Sequence, residues 1–302
     1  MNSSTTVLID GDPIVYRCGF AAQHSVIHAL VEGPEGPSAW RFEGRADRNQ
    51  WQKEHPDYDI LEQEEELQVE PLEFALVTVR AVLRSLEHMG VGRLFLSGKN
   101  NYREKLATIA PYKGNRDRNK RPVHYQAIRD YLCSHWGATV IDGHEADDEL
   151  AIRAAQFRAD RRDYVIATID KDLDQIPGQH WDYMRNVGYE VTAEEAQKWF
   201  WQQVLSGDST DGVPGCWKLG PAKAKALVDE WYLEQASQLD IWELVRQAYE
   251  MSADRFGCPY DEDDAYDVAL ETARLVYMQQ QPGELWNPPG IPHGRIEGYD
   301  AE

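Results

Sequence analysis

At 302 residues the chain can bury a sizeable core, as one large domain or two smaller ones, without disulfide staples. Its four cysteines, Cys18, Cys133, Cys216 and Cys258, form no C-x-x-C pair and lack the histidine spacing of a zinc site, which excludes a disulfide scaffold and leaves reduced thiols. No apolar run nears the roughly 18 residues of a membrane span and none forms a signal-peptide core, so a soluble cytoplasmic protein with no membrane contact is expected.

The net charge of −21 argues against a nucleic-acid partner, because phosphate binding leaves a basic footprint, yet the charge is segregated. Glu32 to Glu73 holds thirteen acidic and four basic residues, and Val228 to Glu302 seventeen acidic and four basic. Lys99 to Arg129, in contrast, carries nine Lys and Arg (Lys99, Arg103, Lys105, Lys113, Arg116, Arg118, Lys120, Arg121, Arg129) against two acids. Such a run is ordinarily a solvated loop, and it gains meaning only beside a metal site.

In chain order, Val7-Leu8-Ile9 is apolar, β-branched and short, the pattern of a buried strand. Gly33 to Glu70 is rich in Gly, Pro and acids and predicts a partly mobile insert over about 32–70. Helical periodicity over Leu72 to Leu86 leads to a second strand, Leu94-Phe95-Leu96, and then to the basic stretch, an arch region over about 99–123. A helix over Tyr125 to Trp136 precedes a third strand, Thr139 to Ile141, and a helix over Glu149 to Arg158 precedes a fourth, Tyr164 to Ile169. Trp181 to Val191, with Asn186 and Gly188, predicts a hairpin, and the chain from about Thr192 onward reads as helical, with no internal repeat. Strand and helix in alternation predict an α/β fold: a mostly parallel central sheet flanked by helices over 1–190, and a helical lobe over 191–302 with an acidic end.

The acids fall at the ends of those strands. Asp10 and Asp12 follow the first, Glu145, Asp147 and Asp148 the third, and Asp170, Asp172 and Asp174 the fourth; a further cluster lies at Gly207 to Gly212. Ligand sites of open α/β sheets lie outside the carboxyl ends of the strands, so three segments deliver carboxylates to one crevice. Like charges that close require neutralising cations, and hard oxygen donors suit Mg²⁺ or Mn²⁺. Each piece also has a structural reading: Asp142-x-x-Glu145 as a capping box, Asp147 and Asp148 as first-turn acids facing the helix dipole, Asp10-Gly11-Asp12-Pro13 and Asp170-Lys171-Asp172 as turns. Three unrelated turns at three strand ends are the harder coincidence.

Five motifs in order, Leu8-Ile9-Asp10-Gly11-Asp12, Tyr112-Lys113-Gly114-Asn115-Arg116, Glu145-Ala146-Asp147-Asp148, Asp170-Lys171-Asp172-Leu173-Asp174-Gln175, and Gly207-Asp208-Ser209-Thr210-Asp211-Gly212-Val213-Pro214-Gly215 with Leu219-Gly220-Pro221-Ala222-Lys223, resemble the flap endonuclease and 5′ to 3′ exonuclease family. The resemblance covers about residues 7 to 230, and Ala273-Arg274-Leu275 with Trp286 is similar to the ending of exonucleases from short-tailed phages. It implies a structure-specific 5′ nuclease working by two metal ions, one near Asp10, Glu145 and Asp147 and the other near Asp170, Asp172, Asp208 and Asp211, with Asp148 an outer ligand and Asp12 and Asp174 less central. It implies Lys113 and Arg116 as the catalytic cations that clamp the scissile phosphate, and DNA contacts from Tyr112, Lys99, Arg103, Arg118, Lys120 and Arg121. Residues 207–228 resemble a helix-hairpin-helix, in which Gly215, Gly220 and Lys223 would meet duplex phosphates and which in that family can hold K⁺.

The second strand departs from the family: it ends Leu94-Phe95-Leu96-Ser97-Gly98, where a metal-binding aspartate is usual. Either a weaker first metal is expected, or Asp12 or Asp148 completes its shell. The implied partners are DNA with 5′ ends or flaps, RNA–DNA hybrids, and a basic replication protein for the acidic segments 32–73 and 228–302, in phage replication, primer removal or recombination. Two other readings stand beside this one, a DNA-structure-binding protein with impaired catalysis and an acid-cluster ribonuclease.

Overall fold

The computed structural model describes residues 5–116 and 120–297. Its strands in chain order are β1 (Thr6–Asp10), β2 (Gln23–Gly33), β3 (Gly36–Phe42), β4 (Asp59–Val69), β5 (Val91–Ser97), β6 (Thr139–Ile141), β7 (Tyr164–Ala167), β8 (Gly178–Asp182) and β9 (Val187–Val191). The helices are α1 (Asp12–Ala21), α2 (Arg45–Glu54), α3 (Leu72–Leu86), α4 (Arg103–Leu106), α5 (Tyr125–Trp136), α6 (Ala146–Ala159), α7 (Ala193–Ser206), α8 (Pro221–Leu233), α9 (Gln238–Ala253) and α10 (Ala265–Val276). These elements fall into two compact units, one of Met1–Pro13, Ser85–Asn119 and Trp136–Glu302, the other of Ile14–Arg84 and Lys120–His135.

In the first unit a six-stranded sheet runs β6-β5-β1-β7-β8-β9, parallel except for β9, which is antiparallel to β8. The expected α/β class with a mostly parallel central sheet is therefore correct. Every residue of β1 and of β7 is buried, which is why both read as unbroken apolar runs. From β1 the chain proceeds to β5 and β6 on one side, and from β7 to β8 on the other, so the order reverses between β1 and β7 and opens a crevice at their carboxyl ends. Strand β7 ends at Ala167, two residues earlier than its composition predicts, the Thr168 amide making the last bond to β8 by donating to Trp181 O at 3.1 Å. The hairpin expected over 181–191 forms as β8 and β9, and Asn186 takes the left-handed turn position at φ 57°.

The same unit carries helices α7 to α10 around a second core, in which Trp201, Trp242, Tyr249 and Trp286 are buried among Val204, Val228, Val245 and Leu275. Capping boxes start α7, through Thr192 and Glu195, and α9, through Ser237 and Asp240. Helix α8 follows Gly220 with Pro221 in its first turn.

The second unit corrects one expectation. The segment over about 32–70, expected to be a partly mobile insert, folds as β3, α2 and β4, and its two strands flank β2 in a three-stranded antiparallel sheet, β3-β2-β4, with α2 over one face. On β2, buried Ile27, Ala29 and Val31 alternate with exposed His28, Leu30 and Glu32, a period-two pattern blurred in the sequence by the apolar but exposed Leu30. Trp51 of α2 closes the buried face, its ring 4.7 Å from Trp40 and 5.4 Å from Phe42 between centroids. No helix among the described residues is long and apolar enough to cross a membrane.

Candidate active site

Asp10, the last residue of β1, is 1% exposed. Its Oδ2 accepts from Thr168 Oγ1 at 2.8 Å, and Thr168 Oγ1 in turn accepts from the Asp170 amide at 2.9 Å, so one hydroxyl ties the ends of β1 and β7 together. The other oxygen, Asp10 Oδ1, is buried with no hydrogen-bond partner. Burial pushes the Asp10 carboxyl well above the usual range, and the charges of Asp12 and Asp170 add to it. Asp147, in the first turn of α6, is raised likewise by burial and then by Asp10, Asp170 and Glu145. Asp172 is pushed up to about 7 by burial and by Asp170, Asp208 and Asp211, and Asp208 rises through burial and Asp211.

Carboxylates that raise one another around an unpartnered buried oxygen form the donor set that a divalent cation satisfies, and oxygen donors alone fit Mg²⁺ or Mn²⁺. Among the described residues no three of the acids close into a ready-made cage. Protein cations stand among them instead. Lys113 Nζ bonds Glu145 Oε1 and lies 3.3 Å from Asp211 Oδ2. Burial pulls the Lys113 pKa down, but Glu145 and Asp211 outweigh it and leave it raised. Arg116 pairs with Asp211 Oδ1, and the Tyr112 hydroxyl lies 2.7 Å from both Glu145 Oε2 and Asp211 Oδ2. Backbone holds this arm down: the Lys113 amide donates to Asp211 O at 2.6 Å, with Lys113 itself left-handed at φ 54°. Asp208 shapes the receiving loop, its Oδ1 accepting from the amides of Thr210 at 2.7 Å and Asp211 at 3.2 Å.

Two expected site residues are committed to partners within the protein, although the Arg103 guanidinium borders the crevice, 3.8 Å from Glu145. Arg103, expected on the DNA-facing patch, is 4% exposed, and its guanidinium donates to both oxygens of Asp148, to Leu275 O at 2.7 Å and to Tyr277 O at 2.7 Å, leaving no fork for a phosphate. Asp148, expected as an outer metal ligand, is fully buried in that pair and also accepts from the Gln279 amide at 3.1 Å. Burial pushes its carboxyl up, but the Arg103 charge and hydrogen bonds outweigh this and hold it below the usual range. The capping box of α6 is formed by Glu145 and Asp148, not by Asp142 and Glu145; Asp142 Oδ1 instead accepts from the Lys99 amide at 2.6 Å. The acid-free end of β5 has its own work: Ser97 Oγ accepts from the Ala146 amide at 2.9 Å and the Ser97 amide donates to Asp12 Oδ2 at 3.0 Å. Asp174 accepts from Tyr189 at 2.8 Å, toward the β8–β9 hairpin. Tyr112 is half-buried against the helical core by its ring. Lys99 is exposed, Lys120 and Arg121 are exposed in the second unit, and Arg118 lies outside the described residues.

Sequence reasoning missed three supporting residues. Thr168 is described above. Gln203 donates to Asp172 Oδ1 at 2.6 Å, and Gln175 braces Gln203 and Val276 O. A glutamine on an amphipathic helix carries no mark of such a role, whereas Thr168, two residues before Asp170, stood in plain view.

Between α7 and α8, Gly207–Asp208 pairs antiparallel with Val213–Pro214. A Cβ on Gly215 would sit 2.2 Å from the Gly207 nitrogen, so the two glycines let the hairpin close. At Gly220, by contrast, a Cβ would meet nothing within 4 Å and φ is an ordinary −78°. The protein's own packing does not require glycine there. Lys223 is exposed one turn into α8.

No family model matches the chain. Over 103 residues, 30% of the chain, it is 30% identical to the thermostable DNA polymerase I of Thermus aquaticus, and over 112 residues, 32% of the chain, 35% identical to DNA polymerase I of Rhizobium leguminosarum. The matches span 12% and 11% of those polymerases' lengths. Among solved structures, 90% of the chain superposes on 88% of the bacteriophage T5 flap endonuclease, crystallised with DNA and metal ions, at a TM-score of 0.51 and 14% identity. The fold is that of the phage flap endonuclease. The resemblance to the flap endonuclease and 5′ to 3′ exonuclease family that the five motifs carry is thereby shown.

Proposed function

We propose that the chain is a metal-dependent, structure-specific 5′ nuclease that hydrolyses DNA phosphodiesters at 5′ ends or flaps and leaves 5′-phosphorylated products. The observation that carries this reading is the gathering of Asp10, Glu145, Asp147, Asp170, Asp172, Asp208 and Asp211 about one crevice, with Lys113 and Arg116 among them. Asp10, Glu145 and Asp147 would hold one divalent ion and Asp170, Asp172, Asp208 and Asp211 a second. When bound, such ions supply a low-pKa water and stabilise the leaving 3′ oxygen. Lys113 and Arg116, paired with Glu145 and Asp211 in the absence of substrate, turn to the scissile phosphate and offset the charge that builds on it. Asp148 acts as a buried partner that fixes Arg103 and the 275–279 segment.

Duplex binding falls to the hairpin. The amino end of α8, with no side-chain cap and open space above Gly220, suits close approach of a phosphate, and Lys223 adds charge. A K⁺ ion between this turn and DNA, cleavage of RNA–DNA hybrids, a role in phage replication or primer removal, and docking of a basic replication protein on the acidic segments belong to the same proposal. Lys113→Ala is expected to slow single-turnover flap cleavage at saturating Mg²⁺ by about 100-fold or more; an unchanged rate removes Lys113 from the chemistry.

One observation favours a second reading. Ser97 stands where an acid is usual and commits its hydroxyl to the α6 amide, the arrangement expected of a DNA-structure-binding protein with impaired catalysis. That protein binds flaps with or without Mg²⁺ and forms no product.

A further inference from the structure

Between α9 and α10 one large aromatic side chain is left in water: Phe256 is 95% exposed. The exposure is built rather than frayed. The Arg255 amide donates to Ser252 O at 3.1 Å, the Cys258 amide to Arg255 O at 3.0 Å, and Gly257 takes a left-handed φ of 79°. The loop is also tied to the turn that precedes α8. Lys218 Nζ donates to Phe256 O at 3.0 Å, and the Trp217 amide donates at 3.1 Å to the Tyr260 hydroxyl, itself 2.6 Å from Ser252 Oγ. Lys218 is left-handed at φ 61°, a conformation that disfavours lysine, so the bond to the Phe256 carbonyl helps hold a strained turn and carries Phe256 along beside it.

Chemistry narrows what the ring can meet. Exposed Lys218, Lys223 and Arg255 are positive, but Asp254 and Asp261 to Asp264 are exposed in the same loop. Those acids make the loop itself unsuited to a phosphate. The uncharged part of a DNA strand next to a phosphate is its deoxyribose, whose carbon face packs well on an aromatic ring.

We propose that Phe256 is a further duplex-binding residue, packing on the deoxyribose next to the phosphate that the 215–223 turn receives. The proposal rests on the reading of that turn as the duplex-binding hairpin. Truncating a side chain this exposed leaves the fold intact, which makes the test clean.

The experiment is fluorescence anisotropy of a labelled blunt duplex in EDTA over a range of KCl, with wild type, Phe256→Ala, Phe256→Trp and Lys223→Ala. Phe256→Ala is expected to weaken binding about 5- to 10-fold, the scale of one aromatic contact, with the slope of log K against log salt unchanged because no counterion is involved. Phe256→Trp restores affinity, and Lys223→Ala lowers the slope by about 1. Wild-type affinity in Phe256→Ala, with Lys223→Ala still weakened, overturns the proposal and leaves the hairpin reading standing. Wild-type binding and salt slope in both variants overturn the hairpin reading and the proposal together.

Discussion

Asp148 and Asp170 are both acids at strand ends, yet the structure gives them opposite energetics. Asp148 sits against Arg103 with no exposure, and removing one partner of such a pair strands the other charge in the core. Asp148→Asn is expected to lower unfolding free energy by about 3 kcal/mol, read as a shift in the urea midpoint in EDTA. Asp170 instead repels Asp10, Asp147 and Asp172, raising each of their pKa values. Asp170→Asn therefore leaves metal-free stability unchanged or raised, and it abolishes the added stability that Mg²⁺ gives the wild type. Loss of stability in Asp170→Asn in EDTA would show that the acid is structural. The two acids are alike in sequence because both lie near strand ends; what separates them is Arg103, 45 residues from Asp148 in the chain, and the carbonyls of Leu275 and Tyr277.

At the scale of elements, legibility followed burial on both faces. Strands β1 and β7, and Leu94 to Leu96 of β5, were readable because inner parallel strands bury continuous apolar runs, whereas the exposed edge strand β6 was readable only from its β-branched composition; α3 and α5 were readable because their apolar faces keep helical spacing. The β2-β3-β4 sheet was not, since β4 exposes nearly every residue and its glutamates resemble a solvated linker. Its fold rests on β2 and on Trp51 of α2, so Trp51→Ala is expected to expose amides of β2 to β4 to hydrogen exchange while those of β1 and β7 stay protected; uniform loss of protection would mean that the two units do not open separately. The hairpin was readable as a motif, but its reason is steric. Gly215→Ala would drive a methyl against Gly207, and a loss of about 2 kcal/mol or more is expected, read from thermal unfolding; wild-type stability would mean that the turn shifts without cost.

The whole molecule poses the question of how a chain of net charge −21 meets a polyanion. Its acids are not spread evenly: β4 carries Glu62, Glu64, Glu65 and Glu66 on an exposed edge strand, while Lys113 and Arg116 lie within the acid crevice. For the proposed nuclease such a distribution leaves few surfaces to a DNA backbone, and steeply salt-dependent binding is expected. The most direct test is incubation of the pure protein with a 5′-labelled flap duplex in Mg²⁺ and in EDTA, beside Asp170→Asn. Short 5′ fragments released in Mg²⁺ alone, and lost in the variant, are the predicted result; tight flap binding with no product in Mg²⁺ or Mn²⁺, or cleavage that survives both EDTA and Asp170→Asn, would contradict a nuclease built on this acid cluster.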